Sequence, residues 1–128
     1  MKISNITLHN FRIYKGTNKI SFVPFSNQNI SLVAGKNGFG KTTFLTSLIW
    51  VFYGKLMTQV ESKYRKDIKN SGGYLPFLGS LLNRDVKSEN KKDASFFVEV
   101  ELKDLSIPAL PCNSITIRRS YSICDKEE

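Results

Sequence analysis

Ile6 and Leu8 alternate with polar neighbours near the start of the chain and Phe11 follows, a period of two that predicts a β-strand ending near Asn10. In "NKISFVPF", Ile20 and Phe22 face the same way and Pro24 closes the run, which makes a second strand. Gly16 and Thr17 mark the turn between them, so the pair reads as an antiparallel hairpin. "NISLVA" has a different pattern. Its near-continuous apolarity from Ile30 to Ala34 predicts a strand buried on both faces. From Lys41 to Tyr53 the period lengthens: Phe44, Leu45, Leu48, Ile49 and Phe52 recur every third or fourth residue, as on a helix. Trp50, Val51 and Tyr53 spread apolar surface around most of that helix, which predicts burial, and Gly54 is a natural stop.

Residues 55–93 change character. "ESKYRKDIKN" is polar and predicts a helix capped by Gly72 and Gly73. "LPFLGSLLN" predicts another, with Pro76 at its first position. "RDVKSENKKD" is almost free of apolar side chains and reads as a mobile loop. After it, Phe96, Val98, Val100 and Leu102 alternate with Phe97, Glu99 and Glu101 in a half-buried strand. "SIPALP" is a turn-rich link, and "SITIRRSYS" is a last strand with Ile115 and Ile117 inward. The chain therefore divides into a hairpin, apolar strand and helix (1–54), a helical or flexible insertion (55–94) and a pair of strands (95–123), with no internal repeat.

Between the apolar strand and the first helix lies "GKNGFGKT", residues 35–42. The pattern Gly-x4-Gly-Lys-Thr is that of the P-loop, or Walker A. A loop that wraps a phosphate must aim many backbone N–H groups at one point, visit positive φ and approach the ligand closely, and glycine does this without a Cβ clash. The helix that follows adds its unpaired first-turn N–H groups and the positive end of its dipole. Lys41 is the expected catalytic cation on the β- and γ-phosphates of ATP, and the Thr42 hydroxyl the expected ligand of Mg²⁺.

Composition narrows the rest. A hydrophobic content of 41% supports a core and excludes wholesale disorder, and a net charge of +8 is compatible with a polyanionic partner. Cys112 and Cys124 form no CxxC pair and His9 is the lone histidine, so no zinc ligand set is expected. No secretory segment and no long apolar span is visible, and the expected setting is cytoplasmic, away from membranes, with free thiols. Lys63, Arg65, Lys66 and Lys69, with Tyr64 among them, are a possible nucleic-acid contact on one helix. Arg118 and Arg119, adjacent on a strand, should point to opposite faces.

The form of the loop, "GKNGFGKTT", resembles that of ABC-type ATPases. The wider stretch "ITLHNFRIYKG…ISF" and "NISLVAGKNGFGKTTFLTSLIWVFYGK" resembles the N-terminal segment of SMC-like ATPases, the group holding SbcC, RecF and RecN. Asn10-Phe11-Arg12 and Tyr53-Gly54 stand where that group has an Asn-Phe-Arg signature and a Tyr-Gly helix ending. Within the group the likeness is to DndD, the ATPase of DNA phosphorothioate systems, and it extends into "GGYLPFLGSLLNRD" and "ITIRRSYS". The resemblance implies an α/β fold: the N-terminal lobe of an ABC-ATPase head, with an antiparallel β subdomain beside the P-loop strand and helix. It implies ATP and Mg²⁺ as cofactors, DNA as partner of the full-length protein, a head-to-head dimer, and Arg12 as a contact to phosphate or nucleotide edge. Carried over by position, it also implies that Asn37 shapes the loop and that Gly38, Gly40, Lys41, Thr42 and Thr43 line the phosphates.

The pattern is incomplete. No Walker B acid pair follows an apolar strand, "NSGGY" is not a signature motif, Gln28 and Gln59 do not suit a Q-loop, and no heptads follow the last strand. In the family these parts lie in a C-terminal lobe, so this sequence is expected to bind ATP, to need that lobe for hydrolysis, and to leave apolar surface on Ile30–Ala34 and on the P-loop helix. Two other readings share the loop: part of an ABC transporter nucleotide-binding domain, with Tyr14 or Phe25 stacking on adenine, and a non-catalytic, ATP-dependent binding module.

Overall fold

Strand alternation sorts side chains onto two faces, and the computed structural model, which describes residues 2–22, 32, 34, 40–89, 94–103 and 113–123, gathers the apolar ones on one of them. Strands β1 (Lys2–Phe11) and β2 (Tyr14–Ser21) form the hairpin. Strand β3 (Ser95–Lys103) pairs with the other edge of β1, and β4 (Ser114–Ser122) pairs with β3. The result is a four-stranded antiparallel sheet of order β2-β1-β3-β4. Ile6 lies opposite Val100 and Leu8 opposite Val98, all of them buried, and Ile115, Ile117 and Tyr121 continue that face along β4. Asn5, Thr7, His9, Lys19, Glu99, Glu101 and Arg118 occupy the opposite face.

The hairpin turns at Arg12 and Ile13, not at Gly16 and Thr17. Asn10 and Arg12 take positive φ, 52° and 47°, and the register shifts between His9 and Phe11. Gly16, also at positive φ, lies within β2 and donates its N–H to Asn10 Oδ1 at 2.8 Å. The glycine marks an irregularity opposite the bulge, and asparagine, which tolerates the left-handed region, begins the turn.

Helix α1 (Lys41–Tyr53) matches its predicted span and ends at Gly54, whose N–H donates to the Trp50 carbonyl. A 3₁₀ segment, Gly54–Gln59, leads into α2 (Ser62–Ser71), which stops at Gly72 in the left-handed conformation. Helix α3 (Tyr74–Leu81) has Gly73 as N-cap, which puts Pro76 at its third residue and not its first. Proline is tolerated there because the first-turn N–H groups have no helical partner.

The stretch read as a mobile loop contains helix α4 (Arg84–Glu89). Asn83 Oδ1 accepts from the N–H of Asp85 and Val86, a capping interaction, and Val86 is buried. One apolar residue and one cap fix six residues that composition assigned to solvent; residues 90–93 lie outside those described. So do Pro24, Phe25, the link at 106–111, Cys112 and Cys124.

Full burial of the apolar segment and of α1 is not seen, and the described residues of both carry the exposed apolar surface that the missing lobe leads one to expect. Of Ile30–Ala34, Leu32 and Ala34 are described; neither is in a strand, and Leu32 is 90% exposed. The described sheet consists of β1–β4, and neither described residue of that segment pairs with it. On α1, Thr43, Phe44, Ser47, Trp50 and Val51 are buried, and the helix contacts β3 and β4. Leu45, Phe52 and Tyr53 remain exposed, as does Leu56 just beyond. The sheet has one apolar face and covers only one side of a helix that is apolar around most of its girth. No described helix is long and apolar enough to cross a membrane.

Asn83 joins the hairpin to the helices. Its N–H donates to the Asn10 carbonyl at 2.8 Å, and its Nδ2 donates to the Arg12 carbonyl at 2.6 Å. Asn83→Ala should lower stability by about 2–3 kcal/mol, the loss of a cap plus a stranded carbonyl. Urea unfolding followed by circular dichroism measures it, and a change below about 0.5 kcal/mol, the scale of an ordinary surface substitution, would show the turn to be held elsewhere.

Candidate nucleotide-binding site

Among the described residues helix α1 has no side-chain cap, and its first turn has no acidic residue. Its N-cap is Gly40, at φ 98° and ψ 6°, and the first helical bond runs from Phe44 N–H to the Gly40 carbonyl at 2.9 Å. The N–H groups of Lys41, Thr42 and Thr43 therefore lack helical partners and stand at the positive end of the dipole. Lys41 and Thr42 are exposed there. Thr43 is 8% exposed, on the covered side of the helix. Asn37 and Gly38 lie outside the described residues.

Gly40 is constrained twice. Its φ is in the region that favours glycine, and a Cβ would lie 2.7 Å from Ile13 Cδ1 and 2.9 Å from the Tyr14 hydroxyl oxygen. The turn of the β1–β2 hairpin thus presses on the point where α1 starts. Tyr14 donates its hydroxyl to the Gly40 carbonyl at 3.4 Å, so this ring is turned to the loop's end.

The Asn-Phe-Arg stretch places that turn. Asn10 Nδ2 donates to His9 Nε2 and to the Ser95 carbonyl, while its Oδ1 holds Gly16. His9 Nδ1 is then left to donate to Thr17 Oγ1, and its ring stacks on Phe97, an ordinary structural role. Phe11 is fully buried against Trp50 and Phe96. Arg12 donates its N–H to the Leu81 carbonyl at 2.6 Å. Burial lowers the pKa of its guanidinium, and Asp67 and Tyr64 of α2 oppose that effect; the group stays charged. Arg12 is therefore set against α2, one residue from the side chain that touches Gly40.

The other end of α1 carries a cation. Arg119, half-buried on β4, donates Nε to the Val51 carbonyl at 3.4 Å and lies over the Trp50 ring at 5.9 Å. A positive charge at a helix C-terminus complements the dipole. Gly54, at φ 55°, lets the arginine in: a Cβ there would meet Arg119 Nη1 at 2.6 Å. The Trp50 indole donates to the Tyr74 hydroxyl at 3.0 Å, which ties α1 to α3.

The sequence signalled some of these residues and not others. Lys63, Arg65, Lys66 and Lys69 do share α2 and are exposed, but Tyr64 is buried at 2% and is not available for stacking on a base. Arg118 and Arg119 point to opposite faces, and both are engaged: Arg118 pairs with Glu99 at 3.0 Å and covers the Phe97 ring. Asn83, Tyr14, Trp50 and Arg119 all position α1 or the hairpin turn, yet each needed the tertiary contact to reveal its part. The adjacent glycine and the Tyr-Gly ending were the sequence signal nearest to the Arg119 contact.

Gly54→Ala should cost about 1–3 kcal/mol through backbone strain, and it should also displace Arg119. With Arg119→Ala in the same chain, the two losses should sum to less than their separate values by at least about 0.5 kcal/mol. A double-mutant cycle in urea tests the contact, and strict additivity would show that the two groups do not meet.

Known proteins share this pattern. Residues 5–127 match the family model described as an AAA domain. A stretch of 55 residues, 43% of the chain, is 40% identical to the SbcC component of the SbcCD nuclease of Treponema pallidum (strain Nichols). That stretch covers 5% of the relative's own length. The mixed α/β architecture with its antiparallel sheet fits a P-loop ATPase lobe. The match spans nearly the whole sequence, and the chain belongs to the AAA domain family.

Proposed function

We propose that the chain is the ATP-binding lobe of an SMC-like, DNA-handling ATPase. The observation that carries this reading is the start of α1: a helix N-terminus at a left-handed glycine, with no side-chain cap among the described residues and with Lys41 and Thr42 exposed beside it. Such an end attracts phosphate through N–H groups, dipole and a lysine charge together. The likeness to an SbcC protein supports the DNA-handling class. Within that class, "GGYLPFLGSLLNRD" and "ITIRRSYS" favour a DndD-type ATPase of DNA sulfur modification.

In this reading Asn37 and Gly38 shape the loop, Gly40 ends it, and Gly38, Gly40, Lys41, Thr42 and Thr43 supply the phosphate donors. For Thr43 the donor is the backbone N–H, because its side chain is covered. Lys41 neutralises the terminal phosphates, and the Thr42 hydroxyl is the side-chain oxygen at hand for Mg²⁺. Mg²⁺, when bound with the nucleotide, spreads the phosphate charge. Arg12 is a contact to the nucleotide across the hairpin turn, with the charge of Asp67 favouring its cationic form. A C-terminal lobe supplies the acid for hydrolysis, packs strands against the exposed side of α1, and brings two heads together on ATP.

Titration calorimetry with ATP tests the site. Lys41→Ala should weaken binding by about 10- to 150-fold, the equivalent of about 1.5–3 kcal/mol for a charge-assisted hydrogen bond. Unchanged affinity would mean that this loop holds no phosphate. Thr42→Ala should retain most of the affinity for ATP without metal but lose the gain that Mg²⁺ gives the wild type. If the mutant keeps that gain, another group holds the metal.

A further inference from the structure

Helix α2 carries a charge distribution that nucleotide binding does not use. At about 100° per residue, Arg65, Lys69, Lys66 and Lys63 fall within one arc of roughly 160°, with Ser62 and Asn70 between them. Tyr64, Asp67 and Ile68 fill the opposite side, where Tyr64 is buried and Ile68 packs on the core. All four cations are exposed. The nearby acids are Glu61, the N-cap, and Asp67, whose charge acts on Arg12.

The four differ from several other basic residues of the chain. Lys15 is tied to Glu89, Lys103 to Glu101 and Arg118 to Glu99. Among the described residues, Lys63, Arg65, Lys66 and Lys69 have no such carboxylate partner. A helix face that is cationic along its length, with its one acid on the opposite side, carries like-charge repulsion that salt screens in part and that a polyanion would relieve.

We infer that the outer face of α2 is a docking surface for the phosphate backbone of duplex DNA. From Lys63 to Lys69 the helix rises about 9 Å, at about 1.5 Å per residue. Along that length a duplex presents about five phosphate charges, at one per about 1.7 Å of axis. The spacing lets four flexible side chains each reach a phosphate. The buried Tyr64 leaves the face no aromatic platform, so it reads charge and not bases, and binding is independent of sequence. The choice of DNA over another polyanion rests on the DNA-handling reading above; the surface itself rests on the helix.

The test compares three proteins on a labelled 20-base-pair duplex by fluorescence anisotropy, across a salt series. They are wild type, a variant with Lys63→Gln, Arg65→Gln, Lys66→Gln and Lys69→Gln, and a control with Lys19→Gln and Lys87→Gln. The α2 variant should bind at least about tenfold more weakly at moderate salt. Its slope of log K against log salt should fall by about 2 to 3.6, at about 0.9 for each phosphate that is no longer neutralised. The control should keep the wild-type slope to within about one phosphate. Circular dichroism melting verifies that the variant is folded, which exposure of all four residues leads one to expect. A wild type that binds DNA alongside an α2 variant of unchanged slope would overturn the surface and leave the DNA-handling reading in place. A wild type that binds ATP but not duplex DNA at low salt would overturn both.

Discussion

Three rings meet where the hairpin, the first helix and the third strand come together. Trp50 lies 5.2 Å from Phe96 and 6.3 Å from Phe11, and Phe11 lies 5.6 Å from Phe96. Each ring brings a different element, so this contact fixes the orientation of α1 on the sheet. Once the helix is fixed, its first turn falls beside Ile13 and Tyr14, and its last turn falls beneath Arg119. Aromatic pairs contribute beyond the area they bury, and their geometry is directional, which suits them to setting an angle between elements.

Asn10 and Asn83 supply what rings cannot. The sharp turn after Phe11 exposes backbone groups that no strand partner can meet. The two amide side chains and two backbone bonds meet them, through Gly16, Ser95, Arg12 and Leu81. Leaving such groups unpaired in a covered turn is costly. The Asn-Phe-Arg stretch is therefore a structural joint with its tip at the helix start, and the position of Arg12 follows from that joint.

Much of this was legible in the sequence. The period-two runs around Ile6 and around Val98, the span of α1 from Lys41 to its glycine stop, and the cap of α2 at Gly72 all follow from local chemistry. The failures share a cause. The hairpin turn, helix α4 and the exposed side of α1 were decided by contacts between segments distant in sequence, through Asn83, Val86 and the limited reach of one sheet face. For the site, the motif predicted Gly40, Lys41 and Thr42 at a helix start, and the helix does start there. Nothing in the motif announced that Ile13 and Tyr14 would close on Gly40, because Tyr14 and Gly40 lie 26 residues apart in sequence.

Trp50 is the sole tryptophan of the chain, and its surroundings give it an optical use. The indole is 1% exposed, its N–H is bonded to Tyr74, and a guanidinium lies over its face. Emission from such a ring is sensitive to each of these neighbours. A ligand that grips the N-terminal end of α1 and shifts the helix along its axis would move the indole relative to Arg119 and Tyr74. The molecule thus contains an intrinsic reporter toward the far end of the same helix whose near end carries Lys41 and Thr42, and a label-free fluorescence titration can read events that take place turns away from the chromophore.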